Sequence, residues 1–185
     1  MTFPRREISS IAISGQACSG KTTLATLLAK DMRWNHVNVG QIFRDLVRDS
    51  GLLVEDFGSL DDASLRQVDE EMQLRMKTTF HCVWEGRLTA WLAKSLPHVM
   101  TIYCYADDTT RANRCAKRES LSLEDALGQI SKRDEEERLV FKRLYDISSV
   151  QKEASFDLTI DTSSNSPHGL LEQVKRHLNH DFDLG

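Results

Sequence analysis

The segment Gly15-Gln-Ala-Cys-Ser-Gly20-Lys21-Thr22 sets two glycines, a lysine and a hydroxyl at the spacing GxxxxGK[ST]. That spacing suits a polyphosphate. Glycines let a loop fold back so that its N–H groups point inward at a β-phosphate, and a helix starting near Lys21 adds its positive dipole end. Lys21 is a mobile point charge that can bridge β- and γ-phosphates, and Thr22 offers a hydroxyl to Mg²⁺. ATP is therefore expected at Gly15, Gln16, Ala17, Cys18, Ser19, Gly20, Lys21, Thr22 and Thr23, with Mg²⁺ beside it. The plain alternative is a glycine-rich turn with an accidental lysine. Cys18 fills a variable position, either as an inert small side chain or as an oxidisable thiol at the ligand site.

Other phosphate-binding classes leave marks that are missing here. A guanine-nucleotide switch needs an Asn-Lys-x-Asp motif to read its base, and none is present. Asp56-Phe57-Gly58 spells DFG, but without an HRD loop or a VAIK strand it is a coincidence. Arginines do cluster, from Arg111 to Arg118 and again from Arg133 to Arg143. Such groups suit a small polyanion held in a cleft, although solvated helix faces use arginine in the same way.

The elements that must hold these residues alternate between strand and helix. The run from Glu7 to Ser14 reads as a buried strand ending at Gly15, and Lys21 to Met32 as the helix after it. Further strands are predicted at His36–Val39, His81–Glu85, Thr101–Tyr105 and Phe156–Ile160. Helices are predicted at Gln41–Ser50, Ser64–Thr79 and Thr110–Glu119. Ser122, with Asp125 three residues on, caps a long charged helix, and Ser166-Pro167 opens the last one, which ends near Leu178. The tail from Asn179 reads as frayed. Strands separated by helices imply βαβ units, so the expected fold is α/β: a parallel five-stranded sheet flanked by helices.

With these elements placed, the chain resembles the cytidylate kinases, most closely their short archaeal-type branch. Gly40-Gln-Ile-Phe-Arg44 carries the resemblance, then Glu85-Gly-Arg-Leu88 closing the third strand. Arg133-Asp-Glu-Glu-Glu-Arg138 leading to Tyr145, and Asp157-Leu-Thr-Ile-Asp-Thr-Ser163, continue it in order. The match runs from about Ile8 to Leu178.

The resemblance implies a single P-loop NTPase kinase domain. Its core is 7–39, 81–118 and 156–178, with an acceptor-binding helical insert at 40–80 and a mobile lid at 119–145. It implies that Gly40, Arg44, Gly86 and Arg87 bind the acceptor, the two arginines gripping its α-phosphate from opposite sides. A guanidinium suits that task because its planar fork engages two phosphate oxygens. Glu85 is expected to orient the Mg²⁺ water shell, with a helix-capping carboxylate as the plain alternative. Lys21, Arg118, Arg133 and Arg138 are the catalytic candidates, the arginines closing from the lid over the triphosphate. Arg133 and Glu137 also stand i, i+4, so a helix salt bridge competes with that role.

The implied reaction moves the ATP γ-phosphate to CMP or dCMP. The departures from the family pattern fall on the acceptor and lid side: Leu88 after Arg87, Val140-Phe141, and Asp146-Ile147-Ser148. They keep open another acceptor, such as a different nucleotide, shikimate or dephospho-coenzyme A, and also a regulatory module without turnover.

Composition agrees with a small-ligand enzyme. The 185 residues carry net charge −4 and are 40% hydrophobic, which disfavours a nucleic-acid binder with a broad basic face. No stretch of ~18 apolar residues exists to span a membrane. Without a signal-like N-terminus or metal-type cysteine spacing, Cys18, Cys82, Cys104 and Cys115 read as reduced thiols of a cytoplasmic protein. A monomer that binds neither nucleic acid nor membrane is the expectation.

Overall fold

The structure, a computed structural model, describes residues 5–42 and 61–184, with the side chain of residue 153 excepted. Its centre is a five-stranded sheet in the order β3-β4-β2-β5-β6. The strands are β2 (Ser10–Gly15), β3 (Asn35–Asn38), β4 (Cys82–Glu85), β5 (Val99–Tyr105) and β6 (Leu158–Asp161), all paired in parallel. Every residue of β2 is buried, as a central strand covered on both faces requires.

Alternation along β2 divides the core in two. Ile11 and Ile13 face a cluster built with Leu24, Leu28, Leu171 and Val174, from α1 (Lys21–Met32) and the last helix (Pro167–Asp181). Ala12 faces the opposite cluster, with Trp84, Leu88, Leu92 and Ile147. The remaining helices are α2 (Asp62–Thr78), α3 (Thr89–Leu92), α4 (Asp108–Glu119), α5 (Leu123–Tyr145) and α6 (Val150–Glu153), so Pro167–Asp181 is α7.

Local chemistry sets the ends of these helices. Ser122 caps α5 by accepting the Asp125 N–H at 3.1 Å. Ser166 caps α7 from Gly169 N–H at 3.1 Å, with Pro167 in its first turn, as the sequence predicts. Another helical turn begins at residue 39 and is described to 42. The rest of the expected Gln41–Ser50 helix, with Arg44 and the DFG triplet, lies outside the described residues.

Two expectations are corrected. The first apolar run forms two strands, β1 (Arg6–Ile8) and β2, separated at Ser9, whose N–H turns to His98 O. The tail is ordered: α7 continues to Asp181, and β7 (Phe182–Leu184) pairs in parallel with β1. Phe182 is buried in the core, and the Arg5 guanidinium donates to the carbonyls of Leu178, Asn179 and Phe182. A cation at the negative end of a helix satisfies carbonyls that would otherwise lack donors. The short helix α3 has no counterpart in the sequence reading.

Candidate active site

The register of the sheet brings the chemistry to one edge. Ile13 lies opposite Glu85, and Asn38 opposite Glu85 on the other side, so β2, β3 and β4 end together at their carboxyl ends. Open α/β sheets bind ligands there.

The loop after β2 departs from ordinary backbone where the motif needs it to. Gly20, the residue before α1, sits at φ +83 and Cys18 at φ +60, both in the left-handed region. A Cβ on Gly15 would fall 2.2 Å from Cys104 O, so the loop can lie against β5 only if Gly15 is a glycine. Gly20 provides no side-chain cap, and the first turn of α1 has no acidic residue. The first amides of a helix have no intrahelical acceptor, and here they remain available to an anion. Ser19 Oγ is fully buried and has no hydrogen-bond partner among the described residues.

Lys21 folds back over this loop, and its Nζ donates to Gln16 O at 3.1 Å. Burial, followed by the charge of Arg87, lowers its pKa from the ordinary 10.5 to about 8, with Glu85 partly opposing the shift. The loop is braced from the side. Thr162 Oγ1 donates to Ser19 O at 2.7 Å, and Arg114 grips Thr162 through its hydroxyl (3.0 Å) and carbonyl (2.6 Å). Arg111, 3% exposed, donates to Ala17 O at 3.3 Å while pairing with Asp108 and Asp134 at 2.7 Å.

Glu85 is 1% exposed and does not cap a helix. Its carboxylate accepts the Thr22 hydroxyl at 2.9 Å and the Asn38 amide at 2.7 Å, with His36 Nε2 at 3.5 Å. A hydroxyl and a carboxylate side by side are hard oxygen donors of the kind Mg²⁺ uses. Among the described residues no group of three or more His, Cys, Asp or Glu could hold a metal alone. That donor set fits an ion bound through one or two protein oxygens plus substrate phosphates and water.

Among the residues expected to bind an acceptor, Gly86 follows Glu85 and its N–H donates to Ile13 O at 3.1 Å. Arg87 reaches across to pair with Glu137 of α5. Gly40 lies in the helical turn after β3, and Arg44 is outside the described residues. Gly15, Gln16, Arg87, Tyr103, Glu137 and Arg138 line a single cleft with Ser148 and Ser149.

The three arginines expected to close over the triphosphate separate. Arg138 lines the cleft, held by Glu135 through Nε at 2.7 Å and Nη2 at 2.8 Å. Arg118 and Arg133 both pair with Glu119 Oε1, at 2.6 and 3.3 Å, at the corner between α4 and α5. The Arg133–Glu137 helix pair is not formed, because Glu137 turns to Arg87 and Arg133 to Glu119. The sequence reading missed Asn38, Arg111, Arg114 and Thr162. The arginine cluster of α4 was visible, but its phase against the loop was not. Asn38 and Thr162 had no signal beyond their place at strand ends.

A parallel sheet with a glycine loop at the end of its central strand, leading into α1, is the P-loop kinase fold. The shikimate kinase from Acinetobacter baumannii, solved with shikimate, shares it at TM-score 0.59 and 15% identity, covering 93% of each chain. The sequence profile of the cytidylate kinase-like family matches residues 10–164. The cytidylate kinase of Pyrococcus abyssi is 36% identical over 176 residues, covering 94% of this chain and 95% of its own. That of Pyrococcus furiosus is 35% identical, covering 92% and 88%. The chain belongs to the cytidylate kinase-like family, and is a phosphotransferase of the kinase type. Among the described residues no helix is long and apolar enough to cross a membrane.

Proposed function

We infer that the chain transfers the γ-phosphoryl group of ATP to CMP or dCMP, giving ADP and CDP or dCDP. The observation that carries this reading is the shared cleft. The ATP-type loop at Gly15 and Gln16 and the acceptor-type Arg87 face the same space, with Arg138 from the long helix. The relatives named cytidylate kinase, matched over nearly the whole chain, support the choice of acceptor.

In this reading the loop amides and Lys21 hold the β- and γ-phosphates. Arg87 exchanges Glu137 for the acceptor's phosphate, and Arg44 takes its other side. Thr22, and Glu85 through water, would hold the Mg²⁺ carried with ATP, which would supply positive charge against the phosphates. Phosphoryl transfer asks little covalent chemistry of the protein, so aligning acceptor and phosphate oxygens and neutralising charge carry the rate. Arg138 is the lid arginine best placed for that role, with Arg118 and Arg133 behind it. We assign 40–80 as the acceptor insert and 119–145 as the lid of a cytoplasmic monomer, whose closure excludes water from the transfer.

The lid departures have a packing explanation. Val140 is 2% exposed against Leu65 and Leu144, and Ile147 is 4% exposed in the cluster beneath Trp84 and Leu88. Val140 fills the core between α2 and α5, whereas Phe141, Ile147 and Ser148 line the cleft beside Arg87 and Arg138, and the departures leave both of those arginines in place.

ADP release measured across CMP, dCMP, UMP, AMP and shikimate tests the proposal. Turnover should be greatest with CMP or dCMP; activity only with shikimate, or with none of the five, overturns it.

A further inference from the structure

Asn38 is the last residue of β3, and both ends of its carboxamide are used. Nδ2 donates to Glu85 Oε1 at 2.7 Å, and Oδ1 accepts the Gln41 N–H at 2.8 Å. The second contact is an N-cap: it satisfies an open amide in the first turn of the helix that begins at residue 39. Two residues after the described part of that turn, the chain reaches Arg44. The first contact fixes one oxygen of the buried Glu85 while Thr22 holds the other, leaving the carboxylate little freedom to rotate. The orientation of the amide is unambiguous, because a carboxylate can only accept and a backbone N–H can only donate.

We propose that Asn38 is a positioning residue that sets the metal-side carboxylate and the acceptor-side helix with one amide group. It touches no substrate. It acts through Glu85 on Mg²⁺·ATP and through the cap on the residues that follow β3, so the two halves of the cleft share one anchor. A shorter capping side chain would hold the helix without reaching Glu85. The inference rests on the reading of Glu85 as the carboxylate that serves Mg²⁺.

The test separates the two contacts. Asn38→Ser keeps a capping oxygen and loses the donor to Glu85, whereas Asn38→Ala loses both. ATP affinity is measured by calorimetry on the full chain, once with Mg²⁺ and once with a chelator, and acceptor KM is measured separately. Supporting groups behind metal ligands are typically worth about 10-fold or more in metal affinity, so both variants should weaken ATP binding about 10-fold with Mg²⁺ and negligibly without it. Acceptor KM should stay within about twofold in Asn38→Ser and rise about fivefold in Asn38→Ala, the scale of a lost cap. Glu85→Gln serves as the reference. If Glu85→Gln binds Mg²⁺·ATP like the unaltered protein, the reading of Glu85 fails and this inference falls with it. If Glu85→Gln is weakened but Asn38→Ser is not, or if both Asn38 variants show the same acceptor KM, the inference alone is overturned.

Discussion

The Thr22 hydroxyl donates to Glu85 Oε2 across 2.9 Å, joining the end of the phosphate loop to the end of the neighbouring strand. The two residues are 63 positions apart in the chain, and the parallel register of β2 and β4 brings them together. Thr22→Val keeps the shape and removes the oxygen. It should raise the Mg²⁺ concentration for half-maximal rate about 10-fold, and lower stability by about 1–3 kcal/mol because a buried carboxylate oxygen loses its donor. Unaltered Mg²⁺ dependence would separate this pair from the metal.

Lys21 supplies a pH signature. Its folded pKa of about 8 lies below the ordinary 10.5, so holding the charge costs the free protein stability below pH 8. That cost is relieved as the pH rises from about 8 towards 10.5. A polyphosphate restores the favourable charge. Binding ATP at pH 8.5–9 should therefore take up a proton, and binding at pH ~6.5 should take up none at this lysine. Above pH ~8 the affinity should fall by up to about 10-fold per pH unit, until the lysine of the complex titrates as well. Calorimetry in buffers of different ionisation enthalpy reads the proton directly, and Lys21→Ala should abolish both the uptake and the turnover.

Arg87 is paired with Glu137 across the cleft. Neutralising that partner should free the guanidinium for an acceptor phosphate. Glu137→Gln is expected to lower acceptor KM several-fold, while Arg87→Ala raises it by 10-fold or more. Initial-rate kinetics with the acceptor varied at saturating ATP check both directions.

Gly15 is a steric requirement. A methyl group there would lie 2.2 Å from Cys104 O and 2.8 Å from Ser19 Oγ, so either the loop or β5 must shift. Gly15→Ala should cost about 1–3 kcal/mol in urea unfolding and weaken ATP binding together with it.

The phosphate loop and the sheet were legible because their signals are local. The spacing from Gly15 to Thr22 and the β-branched run before it sit in one stretch of chain, and the caps at Ser122 and Ser166 are three-residue patterns. What escaped depends on contacts distant in sequence. Arg5 meets the carbonyls of Leu178 and Phe182, so the tail looks frayed until β1 and β7 are seen paired. Glu137 stands i, i+4 from Arg133, yet it belongs to Arg87, fifty residues earlier. Arg111, Arg114 and Arg118 are equivalent as residue types. Their distance from the loop is set by how α4 packs, which places Arg111 on Ala17 and Arg118 on Glu119. Arg44 and Gly40 rest on the family pattern, and only Gly40 falls within the described residues.

The most direct measurement follows the phosphorus atom. With ATP labelled at the γ-position, Mg²⁺ and CMP, label should appear in CDP as it leaves ATP, and no label should move in Lys21→Ala. Label released only as inorganic phosphate, or retained in ATP while CMP is untouched, would contradict phosphoryl transfer to a nucleotide by this cleft.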